Sequence, residues 1–340
     1  MIISAGLLII SYLSIYVNPA KAWFMTIFGL LFYPLLLVNV LLLVWALLRR
    51  SKAVVIPLVA LIPTLLIFGK FFRFSTSRDD TSKGLKIVSY NVGRFALPQG
   101  VTFSSRKECA DSIMAFLRAG DADIICLQEV YVQNKERVLS YLSRQMKGYD
   151  IQYYVNVNKY GSCGNVTFSR YPALSKGHID FEHSSNMALY SDYCIDGDTL
   201  RVYNCHFESY NISLSRLATG LEKDYKQAVK DTEEKMRRSI VRRPRQVEQV
   251  LKDIENCREN VIVTGDFNDT PMSYTYWRLS RKRKDSFKEA GSGAGATFSK
   301  LRPLLRIDYI LFPESYNALS HNVINKRFSD HYPVEAIIAR

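Results

Sequence analysis

The sequence predicts an α+β domain of packed sheets flanked by helices, preceded by N-terminal transmembrane helices. Between Met1 and Phe72 the 340-residue chain carries no acidic residue and few basic ones. Beyond Arg78, short β-branched or aromatic runs alternate with polar loops and amphipathic helices. That alternation is typical of sheets packed together and covered by helices.

Three apolar runs, about residues 1–17, 23–48 and 53–72, are predicted to be transmembrane helices within a membrane domain of residues 1–73. A bilayer core of about 30 Å needs about 20 apolar helical residues, so the second run is the clearest span. One alternative is a buried hairpin of a soluble protein. Another is a cleaved signal peptide over Met1–Ala22, where Ala20-Lys21-Ala22 has the small-x-small form of a cleavage site.

The loop charges predict an orientation for these helices. Arg49, Arg50 and Lys52 in the second polar break outnumber Lys21 in the first, and such bases collect on the cytoplasmic side. We therefore expect an integral protein of the inner or plasma membrane with a cytoplasmic N-terminus and an extracytoplasmic C-terminal domain. The bases that follow the third run favour the opposite orientation.

Residues 74–84 (FSTSRDDTSKG) are predicted to be a linker, and residues 85–340 a single large domain. The predicted helices cover residues 104–118, 135–146 and about 214–254. The predicted strands, rich in β-branched and aromatic residues, cover residues 85–90, 124–127, 152–155, 166–168, 200–207, 261–264 and 307–312.

Charge and cysteine content limit the chemistry only loosely. The formal net charge of +13 favours polyanionic partners: nucleic acid, anionic lipid head groups or phosphorylated substrates. The six cysteines show no CxxC pair and no Cys/His spacing typical of zinc sites. Cys126 and Cys205 lie inside predicted strands and are expected to be buried free thiols, while the disulfide state stays open.

Polar residues follow the predicted strands at the points where packing does not require them. Each alone has a structural reading as a turn residue, a helix cap or a satisfied histidine. As a set of acids, amides and imidazoles at successive strand ends they predict a site on a rigid sheet, and hard oxygen ligands of this kind suit Mg²⁺ or Mn²⁺. The set comprises Asn91, Glu129, His206, Asp266, Asn268, Asp308, Asp330 and His331.

The segments that carry these residues resemble the serial motifs of the endonuclease/exonuclease/phosphatase family, in the family's order. They are KIVSYNVGR (86–94), ICLQEV (125–130), SRYP (169–172), YNCHF (203–207), VTGDFNDTP (263–271), RIDYI (306–310) and SDHYP (329–333). The resemblance implies a four-layer α/β/β/α sandwich like that of DNase I. One departure is Thr167, where the family usually has an apolar residue, which puts the local packing in doubt.

The resemblance also implies a role for each residue in a Mg²⁺-dependent phosphoesterase. Glu129 is the principal metal carboxylate, with Asn91 beside it and Asp330 as a further metal-side acid. The remaining residues are catalytic: Asp266 positions or deprotonates the attacking water, Asn268 holds a phosphate oxygen, Asp308 orients His331 against the phosphate, and His206 is a second histidine.

Two arginines are expected to bind substrate phosphates: Arg170 in the SRYP motif and Arg245 at the end of the basic stretch 235–245. A solvated helix face is the alternative interpretation of that stretch. A second basic cluster, residues 276–284 (YWRLSRKRK), is expected near the site and could contact lipid head groups or nucleic acid phosphates.

The membrane helices favour a lipid substrate, since tethering raises the effective concentration of enzyme and substrate. With these helices the chain resembles the membrane-anchored teicoplanin-resistance-associated polyprenyl diphosphate phosphatases and neutral sphingomyelinases. The leading hypothesis is hydrolysis of a phosphorylated lipid such as a polyprenyl diphosphate, a sphingolipid or a GPI-type phosphodiester. A membrane-tethered nuclease is the second hypothesis and a catalytically inactive lipid-binding module the third. No obligate protein partner is expected.

Overall fold

The computed structural model describes residues 1–74, 84–96, 105–132, 134, 137–158, 161–210, 225–301 and 303–340. Most of the predicted linker and residues 214–224 of the third predicted helix lie outside this part of the chain. The chain forms two compact units. The first comprises Met1–Phe68, Glu208–Gln249 and Asn268–Arg278, and the second comprises Gly69–Phe207, Val250–Phe267 and Leu279–Arg340.

The N-terminal helices of the first unit are α1 (Ile2–Leu13), α2 (Met25–Leu30), α3 (Phe32–Leu48) and α4 (Val55–Ile67). Polar side chains join them inside an otherwise apolar bundle. The Asn39 amide donates to Ser4 Oγ at 2.9 Å, and the Tyr12 and Thr64 hydroxyls lie 2.6 Å apart. Side-chain hydrogen bonds between apolar helices are the usual means of fixing such helices against each other.

The lengths of these helices differ from the prediction. Among the described residues one helix, Lys52–Lys70, is long and apolar enough to cross a membrane, with a mean hydropathy of 2.2. The second run is not one continuous helix, because α2 ends at Leu30 and α3 retains 17 residues. Pro34 lies in the first turn of α3, and its ring would collide with the carbonyl of residue 30 in an unbroken helix.

The second unit contains two six-stranded mixed sheets. The strands are β1 (Leu85–Asn91), β2 (Ile124–Val132), β3 (Asp150–Asn158), β4 (Gly161–Ser169), β5 (Ala173–Asp180), β6 (Met187–Ile195), β7 (Asp198–His206), β8 (Asn260–Asp266), β9 (Arg283–Asp285), β10 (Asp308–Pro313), β11 (Asn317–Val323) and β12 (Val334–Ala339). The first sheet has the order β11-β12-β1-β2-β4-β3 and the second sheet β5-β6-β7-β8-β10-β9.

Five further α-helices lie in the described residues after α4. They are α5 (Arg106–Gly120), α6 (Val138–Gln145), α7 (Tyr225–Glu255), α8 (Tyr274–Ser280) and α9 (Ser286–Ala290). Helix α7 begins in the first compact unit and ends in the second.

Two apolar clusters hold the sheets in place. One lies between the sheets and joins Ile87 and Cys126 of the first sheet to Val202 and Ile310 of the second. The other packs α5 and α6 against the outer face of the first sheet, through residues such as Ile113. Two mixed sheets with covering helices confirm the predicted α+β class.

Five strands were missing from the sequence prediction: β5, β6, β9, β11 and β12. Strand β5 shows why, because most of its side chains are exposed or half-buried and it carries polar residues on both faces. Such an edge strand gives no apolar alternation to recognise. The six cysteines are free thiols, and Cys126 and Cys205 are buried as expected.

Candidate active site

The predicted site residues converge where two pairs of parallel strands end. In the first sheet β1 runs parallel to β2, which places Asn91 opposite Gln128. In the second sheet β7 runs parallel to β8, which places His206 opposite Asp266. The Asn91 amide connects the two sheets, since its Nδ2 donates to Asp266 Oδ2 at 2.9 Å.

Glu129 reaches this edge through an irregularity in β2. The pairing with β4 shifts between Leu127 and Val130, so Gln128 and Glu129 together oppose a single residue. Glu129 adopts a left-handed φ of 54°, and bulges of this kind redirect one side chain of a strand. As a result Glu129 Oε1 lies 3.3 Å from the Asn91 amide nitrogen, and Oε2 lies 3.4 Å from Arg94 Nε.

Gly265 sets the direction of Asp266. Its φ is +131°, and a Cβ at this position would lie 1.9 Å from the Cys205 carbonyl oxygen. Only glycine therefore permits β8 to approach β7 this closely just before it ends. Asp266 is 1 % exposed, so its carboxylate faces the inside of the site.

Asp308 and His331 form a buried pair. His331 Nδ1 lies 3.0 Å from Asp308 Oδ2, and His331 Nε2 lies 3.8 Å from Asp266 Oδ2. Asp308 begins β10 opposite Asp266, and its backbone N–H donates to Thr297 Oγ1 at 3.2 Å. A carboxylate at Nδ1 fixes the imidazole orientation and leaves Nε2 directed at the reacting group.

Asp330, expected beside the metal, has other partners in the structure. Its carboxylate lies 3.0 Å from Lys300 Nζ and 3.3 Å from Ser329 Oγ. Burial disfavours ionisation of Asp330, but His331 and Lys300 outweigh burial and hold its pKa below the ordinary value. Asp330 therefore forms an ion pair with Lys300, and its role as a metal ligand stays a prediction.

The donor set fits a divalent cation. The Glu129 and Asp266 carboxylates converge on one amide, and His206 Nε2 lies 3.6 Å from Glu129 and 3.8 Å from Asp266. That imidazole nitrogen is buried without a hydrogen-bond partner, which is costly unless another group satisfies it. Ligand atoms of Asp266, Asp308 and His331 also lie within 4.8 Å of one another. These residues could hold a metal ion.

Burial and neighbouring charges shift the pKa values of Asp266 and His331. Burial raises the pKa of Asp266, and Asp308 adds to this, so the pKa lies near 6 despite opposition from His331. Burial lowers the pKa of His331, but Asp308 and Asp266 outweigh burial and raise it to about 10. An aspartate near neutrality can accept a proton from water, and a histidinium can donate one.

A polar network beneath the site was missed by sequence reasoning. Buried Asn204 accepts from Gln128 Nε2 at 2.8 Å and donates to the Leu127 carbonyl and to Thr167 Oγ1, at 3.1 and 3.2 Å. The network answers the doubt about Thr167, because its hydroxyl has a partner within the core. It also ties the strand of Glu129 to that of His206 (β7).

Arg170 lies at the wrong end of the sheet for the expected substrate contact. Strand β4 is antiparallel to β2, so Ser169 pairs with Ile124, five residues before Glu129. The Arg170 guanidinium pairs with Asp121 there. A contact between Arg170 and substrate stays a prediction, and this placement does not support it.

Asn268 and Arg245 belong to the first compact unit. Asn268 follows Asp266 by two residues and has a left-handed φ of 52°. Arg245 is exposed on α7. Their roles toward substrate remain predictions.

Arg243, absent from the sequence prediction, is the buried arginine of the basic stretch. It is 1 % exposed, and its Nη1 lies 2.9 Å from Asp269 Oδ2. Its Nε donates to the Glu208 carbonyl at 2.8 Å, and its guanidinium lies 4.1 Å from the Tyr210 ring centre. The helical periodicity of α7 indicates that Arg243 is buried, since it shares a buried face with Ile240 and Val247.

Family profiles match both parts of the chain. The profile of the Endonuclease/Exonuclease/phosphatase family matches residues 88–331. A domain of unknown function, DUF8431, matches residues 1–71. No curated protein matches the chain significantly.

Solved structures share the fold at low identity. An endonuclease/exonuclease/phosphatase from Bacteroides vulgatus is 17 % identical, with a TM-score of 0.56, and the match covers 76 % of this chain and 99 % of that one. The mannosyl-6-phosphatase of Bacteroides thetaiotaomicron is 16 % identical, with a TM-score of 0.52 and coverages of 75 % and 100 %. The human Nocturnin catalytic domain with bound sulfate is 17 % identical, with a TM-score of 0.53 and coverages of 75 % and 94 %.

Proposed function

We propose a function from the premise that this chain belongs to the Endonuclease/Exonuclease/phosphatase family, whose profile spans residues 88–331: the protein is a membrane-anchored, Mg²⁺-dependent phosphoesterase that hydrolyses a phosphorylated lipid. One observation carries the chemistry. Glu129, His206, Asp266 and the Asp308–His331 pair converge within 3.0–3.8 Å contacts at the strand ends. Each group there suits phosphoester hydrolysis.

Glu129 and Asn91, with Asp266 beside them, would hold the cation. When bound, Mg²⁺ neutralises charge on the phosphate oxygens. Asp266 orients the attacking water and accepts its proton, which its raised pKa allows. His331, kept protonated by Asp308, donates to a phosphate oxygen through Nε2.

Asn268 and His206 complete the proposed assignment. The Asn268 amide binds a second phosphate oxygen and stabilises charge that develops there. His206 contributes a further donor at the edge shared with Asp266. Water attacks phosphorus directly while the P–O bond to the leaving group breaks, so the reaction forms no covalent enzyme intermediate.

The lipid substrate is supported by the first compact unit. We propose that α1, α3 and α4 cross the bilayer as three spans, with a cytoplasmic N-terminus and an extracytoplasmic catalytic domain. On α7 the bases Lys235, Arg238 and Arg245 are exposed, and Arg237 lies 5.6 Å from the Trp23 ring centre. Each base near an anionic surface contributes about 1 kcal/mol of attraction.

The second basic cluster, residues 276–284, gives the nuclease hypothesis less support than the sequence suggested. Arg278 Nη2 lies 2.7 Å from Glu248, and Lys284 Nζ lies 3.4 Å from Glu289. Arg283 donates to the Leu279 carbonyl at 3.0 Å. Three of its bases therefore have partners within the protein, and a phosphate backbone would have to compete with them.

The substrate class is tested with the full chain in detergent micelles. We expect Mg²⁺-dependent release of phosphate from a dispersed polyprenyl diphosphate, lost with EDTA and absent from the Asp266→Asn variant. Duplex DNA at the same ionic strength serves as the competing substrate. Fast DNA cleavage that falls steeply with salt, without lipid turnover, would reverse the proposed substrate class.

A further inference from the structure

The segment Asn268–Arg278 directly follows the strand that ends in Asp266. It belongs to the same compact unit as the N-terminal helices. Its side chains are unusually buried for a connection that follows the end of a strand: Met272 is 3 % exposed, and Thr275 and Tyr276 are each 1 % exposed. Packing by neighbouring elements therefore determines its conformation.

The N-terminal helices supply part of that packing. A Cβ on Gly29 of α2 would lie 2.5 Å from the Met272 carbonyl oxygen, so the two backbones are in direct contact. The Tyr16 and Trp277 rings meet edge to face with centroids 5.3 Å apart. A tether that merely holds an enzyme at a membrane needs no such contacts.

Helix α7 holds the same segment through polar contacts. Arg243 pairs with Asp269 at 2.9 Å. Glu248 accepts from the Tyr274 hydroxyl at 2.9 Å, and that hydroxyl also accepts from the Asn18 amide at 3.4 Å. The segment is thus fixed both by α7 and by the connection between α1 and α2.

We propose that residues 14–29, the connection from α1 into α2, are a positioning element for Asn268. The proposal rests on the phosphate-binding role given to Asn268 under the proposed function. Asn268 holds a left-handed φ of 52°, a conformation that asparagine tolerates, so the position of its side chain depends on the path of the segment that follows. A shift of Met272 would reach Asn268 through four peptide units of the same segment.

The connection from α1 into α2 therefore positions a catalytic group and does not only join two helices. A displacement of about 1 Å at a catalytic group can reduce the rate by roughly 100-fold. A Cβ on Gly29 would lie 2.5 Å from the Met272 carbonyl oxygen, so either α2 or the segment that contains Met272 must shift. Substitution of Gly29 by alanine therefore perturbs this contact without changing any residue of the site.

The test is a double-mutant cycle in the full chain, with hydrolysis of bis(para-nitrophenyl) phosphate in micelles as the readout. We expect Gly29→Ala to lower kcat by roughly 10- to 100-fold. In the Asn268→Ala background the same change should lower kcat by less than about twofold, because coupled residues are not additive. Gly6→Ala in α1, where a Cβ meets nothing within 4 Å, is the matched control and should retain activity.

Tyr16→Leu provides a second perturbation that removes a contact without adding an overlap, in case Gly29→Ala does not fold. It should show the same loss in wild type and the same insensitivity in the Asn268→Ala background. Full, multiplicative losses in both backgrounds, or no loss at all, would overturn the positioning role. An Asn268→Ala enzyme with wild-type kcat would overturn it too, while loss of activity in Asp266→Asn would still leave the proposed hydrolysis standing.

Discussion

Replacing Arg243 by methionine tests how strongly the buried ion pair supports the protein. Arg243 is 1 % and Asp269 5 % exposed, so methionine keeps the volume but leaves the carboxylate buried without its counter-charge. Removing one partner of a buried pair costs about 3–5 kcal/mol. At about 2–4 °C per kcal/mol for a domain of this size, the melting temperature should fall by roughly 10 °C.

The assay is thermal unfolding of the full chain in micelles, followed by circular dichroism. Arg242→Met is the matched control, since its guanidinium lies 3.6 Å from Glu208 and its side chain is 37 % exposed. Exposed pairs contribute about 0–1 kcal/mol, so the control should melt within about 3 °C of wild type. Adding Asp269→Asn to Arg243→Met removes the unpaired charge and should restore part of the loss. Equal melting temperatures for the two arginine variants would refute the reasoning.

Three further outcomes are expected. Gly265→Ala should lower the free energy of unfolding by several kcal/mol, because its Cβ would overlap a carbonyl at 1.9 Å. Gly197→Ala has open space around its Cβ and should lower it by about 1–2 kcal/mol. Thermal unfolding of the two variants compares these effects. Asp308→Asn removes the carboxylate that raises the pKa of His331, so the kcat of this variant should fall. Its remaining activity should also decline with rising pH at a lower pH than the activity of wild type does, because His331 loses its proton earlier. Reporter fusions in the second polar loop and at the C-terminus should report opposite compartments, and a shared cytoplasmic signal would contradict the three-span topology.

The sequence was a good guide to which residues meet at the site. Acids, amides and imidazoles at successive strand ends were expected to form one site, and the parallel pairs β1–β2 and β7–β8 bring such ends together. Asn91, Glu129, His206 and Asp266 confirm that expectation as neighbours. Strand-end position is a local property, and for that reason a motif can encode it.

Features that depend on register or on helix rotation could not be predicted in this way. The bulge that turns Glu129 toward the site arises from the pairing of β2 with β4. Arg170 was expected to bind substrate, but the antiparallel register places it at the far end of that sheet. The sequence did not distinguish buried Arg243 from exposed Arg245, because a run of bases looks alike until the buried face of the helix is known.

The N-terminal apolar segment shows a third limit of prediction from the sequence. Hydropathy ranked the second apolar run first, yet Lys52–Lys70 is the described helix of sufficient length. Apolar composition alone does not register the break before α3, where Pro34 occupies the first helical turn. Proline position alone does not predict the break either, because Pro63 lies inside α4 without interrupting it.

The central claim is that Glu129 holds a divalent cation at the phosphoesterase site. Its most direct test is the rate of bis(para-nitrophenyl) phosphate hydrolysis by the full chain as free Mg²⁺ is varied, for wild type, Glu129→Gln and the control Glu335→Gln. Glu335 pairs with Lys86 at 3.0 Å, so its variant should match wild type. Glu129→Gln should need far more Mg²⁺ for half-maximal rate and should remain slower at saturation. A Glu129→Gln enzyme with the wild-type Mg²⁺ dependence and rate would contradict the claim.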